Sequence, residues 1–196
     1  MKKLASTLFI IFLIFSPKAF AADNEMVKRI SEGEESAKIT IIAYESLTCG
    51  HCANFHKDVY PELKKNFIDK GLVRIEFRHF PLDIAAFNAS KIGQCNNDGN
   101  AEVLNILFSG QKKWARGKTP EEATIYLKKF LKSEGIKVDF EKCLNDKAIE
   151  DFVLNDRIEG VKKFKVNATP TIIINDKKFD KALNYKNLKK YLEKLI

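Results

Sequence analysis

The sequence predicts an α/β fold: a mixed β-sheet flanked by helices on both faces, with a helical segment inserted between its two halves. Three observations carry this. A β-branched and aromatic run at 38–46 (KITIIAYES) leads into a helical period and then an alternating run at 72–80 (LVRIEFRHF). Residues 82 to about 163 keep a helical pattern throughout. The chain ends on a hairpin pattern and one amphipathic helix.

The first run is apolar enough for a buried strand. From Cys49 the period changes: Phe55, Val59, Leu63 and Phe67 recur at helical spacing, and Lys70-Gly71 suits a helix end. In the next strand Val73, Ile75 and Phe77 share one face, and Pro81 closes it. A β-α-β connection of this length makes the two strands parallel. The helical stretch is punctuated at Asn97-Asp98-Gly99, at 117–120 (GKTP) and at Glu134-Gly135. Thr119 is placed as a helix cap, with Pro120 at the first helical position and Glu122 set for a capping box. Residues 171–174 (TIII), a polar turn at 175–177 and a strand around Lys178-Phe179 read as a hairpin. Leu188, Tyr191, Leu192 and Leu195 form the apolar stripe of the last helix.

Residues 1–21 read as a cleaved signal peptide. Lys2 and Lys3 precede a short apolar core from Leu8 to Phe15, and Ala19 and Ala21 supply small residues for cleavage. A retained anchor is the alternative, but a spanning helix needs about 20 apolar residues, and Pro17 and Lys18 break this run. The mature chain, from Ala22 or Asp23, is expected to be one domain over 22–196, with the helical insertion at about 83–145. The periplasm is the expected compartment. The formal net charge of +8 falls by three with the leader's lysines. The remaining lysines are scattered among acids, as in Glu141-Lys142 and Glu193-Lys194, with no basic run interleaved with aromatics. That is a solvated surface, and no nucleic-acid partner is expected.

Cys49-Gly50-His51-Cys52 falls where a strand ends and a helix begins. A helix N-terminus offers unpaired N–H groups and about half a positive charge, and His51 can add charge or a hydrogen bond. These lower a cysteine pKa from about 8.5 towards roughly 3.5–7.5. Cys49 is thus the expected attacking sulfur, with Cys52, one turn on and facing inward, resolving the mixed disulfide. Three readings compete. A zinc ribbon needs a second C-x-x-C, which the sequence lacks. A copper-transfer module is suggested by Leu47-Thr48-Cys49-x-x-Cys52 but leaves most of the chain unexplained. A purely structural bridge across two residues is uncommon. The expected assignment is redox, with no metal and no cofactor.

Thr48-Cys49-Gly50-His51-Cys52-Ala53-Asn54-Phe55 and Val166-Asn167-Ala168-Thr169-Pro170-Thr171 resemble the DsbA-like branch of the thioredoxin superfamily. The likeness extends through Arg78-His79-Phe80-Pro81-Leu82 and the helical block. The resemblance implies a thioredoxin-like fold with an inserted helical domain, and protein-disulfide oxidoreductase activity on unfolded or newly exported proteins. It implies a membrane redox partner for reoxidation. It also implies a cis Thr169-Pro170 bond beside the active-site disulfide, with both residues contacting substrate; the alternative is an ordinary strand-start proline. The chain departs from the family pattern at Gly50-His51 and at Ala43, where many relatives carry a buried acid; Glu45, two residues along on the same strand face, is a candidate substitute, and the general base stays open. Isomerase or reductase activity at the same site remains an alternative to oxidation.

Cys95 and Cys143, in the helical block of an exported chain, are expected to form a structural disulfide, as in some DsbA-like proteins; two buried free thiols are the alternative. His56 and His79 read as ordinary residues, and Trp114 and the phenylalanines as core. The glycosylation patterns at 88–90 and 167–169 read as chance matches. The protein is expected to be a monomer.

Overall fold

A computed structural model describes residues 27–95 and 99–196. The leader expected at 1–21 lies outside the described residues, as do Asn97 and Asp98 of the predicted turn. Two strands open the chain, β1 (Ser31–Glu32) and β2 (Ile39–Glu45). Helices α1 (Gly50–Asp58) and α2 (Tyr60–Leu63), continued by a π-helical turn (Lys64–Ile68), lead to β3 (Val73–His79). Six helices follow: α3 (Ile84–Cys95), α4 (Glu102–Ser109), α5 (Gln111–Trp114), α6 (Pro120–Ser133), α7 (Phe140–Asn145) and α8 (Lys147–Phe164). The chain closes with β4 (Thr171–Ile174), β5 (Lys177–Lys178) and α9 (Tyr185–Leu192).

The sheet runs β1-β3-β2-β4-β5. β2 and β3 pair in parallel, Ile41 opposite Ile75, whereas β4 runs antiparallel to β2, Ala43 opposite Ile172. The parallel half and the hairpin half both match the expectation, so the mixed sheet with flanking helices is correct. β1 was not foreseen. Its two residues pair antiparallel with β3, and a strand that short has no period to read.

Strand alternation splits the core in two. Ile39, Ile41 and Ala43 of β2, with Val73, Ile75 and Phe77 of β3, meet Phe55, Leu63 and Leu188 in the main core. Tyr44 and Ile173 point to the other face and join Phe80, Phe164 and Val166 beneath α8. Trp114 is fully buried among the inserted helices and donates its Nε1–H to the Leu107 carbonyl at 2.8 Å. Buried Asp156 of α8 accepts from Arg29 at 2.5 Å and from the His79 backbone N–H at 3.0 Å. It thereby ties the second layer to the end of β3.

Several local readings need correction. The helix predicted as one run from Cys49 breaks at Val59, because Pro61 has no N–H to continue the ladder. Phe55, Val59, Leu63 and Phe67 are nonetheless all buried. Thr119 does cap α6, accepting from the Glu122 N–H at 3.2 Å, but the Glu122 carboxylate accepts from the Lys118 N–H rather than closing the box on Thr119. Leu195 lies beyond α9 and is 40% exposed, so the last apolar stripe ends at Leu192. The hairpin turn is made by Asn175 and Asp176, both at positive φ, as a two-residue connection of this hand requires.

Candidate redox site

β2 leaves the sheet at Glu45 and the chain reaches α1 through Ser46, Leu47 and Thr48. Short polar ties fix this loop. Thr48 donates to Asp83 at 2.7 Å, and Asp83 also accepts the Ala86 N–H at 2.7 Å, so one carboxylate holds both the loop and the first turn of α3. From α5, the Gln111 amide donates to the Leu47 and Cys49 carbonyls at 2.8 and 3.0 Å. The inserted helices therefore grip the backbone at the first cysteine. Sequence reading missed Gln111, since a buried glutamine looks like any polar residue until its carbonyl partners are known.

Cys49 is the N-cap of α1 and is half-buried, while Cys52 is fully buried one turn on. Both are free thiols here. The Cys49 thiol donates to the Thr169 carbonyl at 3.3 Å. Hydrogen bonding from the Cys52 thiol is the largest influence on Cys49 and outweighs the cost of burial. The Thr169 side chain and the Cys52 and His51 backbone N–H groups add to it, lowering Cys49 from 9.0 to about 5. Cys52 moves the other way. Burial first, then its bond to Cys49, then the charge of Glu45 push its pKa far up.

The expected help from His51 thus comes through its backbone N–H. Its side chain is exposed and lies between two grooves that flank the cysteine. The smaller groove, about 470 Å³, is lined by Thr169, Pro170, Phe55, Val59, Leu183 and Tyr185. Thr169-Pro170 is cis, and Thr169 Oγ1 is buried without a hydrogen-bond partner among the described residues while Cys49 is a thiol.

Behind Cys52 sits a polar cluster that sequence reading only half anticipated. Glu45 is buried, and its Oε2 meets His56 Nε2 at 2.9 Å, each side chain being 4% exposed. His56 Nδ1 meets Asn105 Oδ1 of α4 at 2.9 Å, and the Phe108 ring stacks on the imidazole at 4.1 Å. Glu45 Oε1 has no partner among the described residues. Burial raises the Glu45 pKa, and the charge and hydrogen bond of His56 pull against it. His56, read from sequence as ordinary, is the partner of the buried acid; its place one turn beyond Cys52 on the inward face of α1 was the available signal.

Cys95 of α3 and Cys143 of α7 are joined by a disulfide, Cα to Cα 5.5 Å. Among the described residues no three or more His, Cys, Asp or Glu side chains gather as a metal site.

Comparison with known proteins follows the same lines. Residues 25–194 match the family model described as Thioredoxin. The fold superposes on the crystal structure of α-DsbA1 from Wolbachia pipientis with a TM-score of 0.75 at 30% identity, covering 85% of this chain and 90% of that one. The Bacillus subtilis disulfide bond formation protein D is 27% identical over 173 residues, 83% of this chain and 74% of its own. A Rickettsia prowazekii protein described as a candidate protein-disulfide oxidoreductase is 30% identical over 157 residues, 78% of this chain. The chain spans a little over half the length of that relative, 55%. A thioredoxin-type sheet, a C-x-x-C at a helix mouth against a cis Thr-Pro, and these matches place the chain in the thioredoxin family, within its DsbA-like branch.

Proposed function

We propose that the chain is a protein-disulfide oxidoreductase that donates the Cys49–Cys52 disulfide to newly exported proteins in the periplasm. The observation that carries this reading is the opposed shift of the two thiols. A Cys49 pKa lowered to about 5 means that the reduced enzyme is stabilised as a thiolate at neutral pH, and a stabilised reduced form makes the disulfide oxidising. The related proteins described as disulfide oxidoreductase or disulfide bond formation protein support the same chemistry.

In the proposed cycle a substrate thiolate attacks Cys49 Sγ of the enzyme disulfide. The S–S bond breaks and Cys52 departs with the electron pair. Its high pKa makes it a poor leaving group unless protonated, and Glu45 is the acid we assign to supply that proton. A second substrate thiolate then attacks the substrate sulfur of the mixed disulfide and releases Cys49 as thiolate. Two substrate thiols are oxidised to a disulfide, and the enzyme disulfide is reduced to a dithiol. Thr169 and Pro170 hold the substrate backbone in the smaller groove, and His51 guards its approach. A membrane redox partner, oxidised in its turn, takes the two electrons and restores the bond. The working unit is a monomer.

Thiol alkylation in intact cells, with oxidative refolding of a reduced protein by the oxidised enzyme, tests this. The expected result is an oxidised Cys49–Cys52 pair in the cell and stoichiometric disulfide transfer in vitro. A pair found reduced in the cell assigns the same site to isomerisation or reduction. Tight Cu(I) binding with no exchange returns the chain to the copper-transfer reading.

A further inference from the structure

The larger groove on the opposite side of His51 has no part in the cycle above. It is about 1090 Å³ in volume and runs between α1 and α2 on one wall and α4 and α5 on the other. Its lining combines Ala53 and the rings of Tyr60 and Phe108 with the polar pair His56 and Asn105. At one end it reaches Gly50 and His51, the residues between the two redox cysteines. Its rim carries four lysines, Lys57, Lys64, Lys112 and Lys113, and no carboxylate is among the residues that line it.

The lysines are not equivalent. Lys64 is held by Glu32 at 3.0 Å and Asp69 at 2.7 Å, so its charge is largely answered. Lys113 approaches Glu134 only at 3.7 Å, with its side chain 70% exposed. Lys57 of α1 and Lys112 of α5 form no ion pair among the described residues and line the groove from its two walls. A concave channel with low-dielectric walls and charge of one sign focuses its field and raises the local concentration of opposite charge.

We infer that this groove takes the chain of the client protein flanking its reactive cysteine, and that it selects acidic segments. The inference rests on the exchange reaction proposed at Cys49 and names the substrate class that reaction favours. An extended peptide with its cysteine at Cys49 Sγ and its backbone against Thr169 continues past His51 into the channel. There apolar side chains meet Tyr60 and Phe108, while Asp or Glu side chains meet Lys57 and Lys112. A concave channel with aromatic rings in its lining suits a peptide, whereas a lipid surface needs a flat or convex one.

The test uses three peptides of equal length that carry one cysteine flanked by two Glu, two Gln or two Lys residues, and their Cys→Ser counterparts. Stopped-flow exchange with the full chain at low ionic strength is expected to run about tenfold faster for the Glu peptide than for the Gln peptide and slowest for the Lys peptide. The advantage should collapse above about 0.5 M salt, as the screening length shrinks. Binding of the serine peptides, read by fluorescence anisotropy, should keep the same order. A Lys57→Gln, Lys112→Gln variant should lose the preference, and Lys57→Glu, Lys112→Glu should reverse it, while exchange with dithiothreitol stays unchanged in both. Equal binding of the Glu and Gln serine peptides overturns the inference, as does a preference that survives both variants. Adsorption to vesicles of anionic lipid without any peptide preference overturns it in favour of a membrane surface. Loss of dithiothreitol exchange in the unmodified protein strikes instead at the oxidoreductase reading, and the serine peptides still decide the groove.

Discussion

Cys49 and Cys52 lie three residues apart at the mouth of one helix, whereas Cys95 and Cys143 stand on two helices, α3 and α7, 48 residues apart. The first pair has a thiol held by N–H donors and a neighbouring thiol, so ionisation of one sulfur is favoured and of the other opposed. The second pair packs against the main apolar core, with Cys143 only 2% exposed. A thiolate at Cys143 would give up most of its hydration. The proposed function therefore requires the same bond to be exchangeable in one place and inert in the other. The difference lies in what the surroundings offer a thiolate, and each variant below breaks or sharpens that contrast.

The largest effect is expected at the attacking sulfur. Cys49→Ser should abolish oxidative refolding activity, a loss of at least about a thousandfold, since Cys49 Sγ is both the atom attacked and the thiolate released in the proposed cycle. The Cys95→Ala, Cys143→Ala double variant should keep most of that activity. Residual turnover in Cys49→Ser comparable to the parent would move the chemistry to another sulfur.

Stability should show the reverse order. Opening a loop of 48 residues costs about 4 kcal/mol in the chain-entropy model. For a domain of this size that corresponds to a melting temperature lower by roughly 10 °C. Differential scanning calorimetry of the double variant checks it. An unchanged melting temperature together with lost turnover would reassign the second pair as a redox relay.

Glu45→Gln comes next. Removing the acid should slow disulfide donation about a hundredfold, at the lower end of the range for a lost general acid. The pH profile should flatten as well, because the group that reprotonates Cys52 is gone. Dithiothreitol exchange rates between pH 4 and 9 would reveal both effects. A uniform loss with the profile intact would reduce Glu45 to a packing role. Asp156 is the internal contrast. That buried carboxylate accepts from Arg29 and from the His79 N–H, whereas Glu45 keeps one oxygen unpartnered among the described residues. The saturated acid is structural; the unsaturated one retains capacity to take a proton.

The Cys49 shift also sets a pH dependence of stability. A folded-state pKa of about 5 against 9.0 means that the reduced protein gains stability from the thiolate, fully present above pH 9 and lost as the pH falls through 5. At pH 7 only the interval from 5 upward counts, about 2 kcal/mol after allowance for partial exposure. Urea titrations of the reduced protein should show this slope, and Cys49→Ser should lack it. Parallel curves for the two proteins would remove the stabilised thiolate.

These contrasts were unequally legible in the sequence. Strand period, helical period and the C-x-x-C between them gave the sheet and the position of Cys49, because each is a local pattern. Thr169 and Pro170 reached the site through family likeness, and their contact with Cys49 depends on β4 lying beside β2 in the sheet. His56 offered only its place one turn beyond Cys52, and Asn105 and Gln111 offered no signal. Each acts through a partner more than ten residues away, and no spacing rule links a helix in the insertion to the end of β2. The break at Val59 was legible in principle, since Pro61 forbids a continuous helix, yet the apolar period running through it masked the break.

The smallest expected effect is at Thr169, and it separates two ways of stabilising a thiolate. In the thiol form the Cys49 S–H donates to the Thr169 carbonyl while Thr169 Oγ1 stays buried without a partner. Ionisation removes that S–H donor and turns the sulfur into an acceptor, which the Thr169 hydroxyl, one of the groups lowering the Cys49 pKa, can then serve. Thr169→Val keeps the volume and deletes the hydroxyl, so it should raise the Cys49 pKa by about one unit, the worth of one charge-assisted hydrogen bond. With the reduced form less stabilised, the disulfide becomes less oxidising by about 30 mV, since 30 mV corresponds to 1.4 kcal/mol for two electrons. Thiolate absorbance against pH and equilibration with glutathione measure the two quantities independently. A lower or unchanged pKa would mean that the helix mouth and Cys52 suffice to hold the thiolate, and that the orphaned hydroxyl is reserved for the substrate.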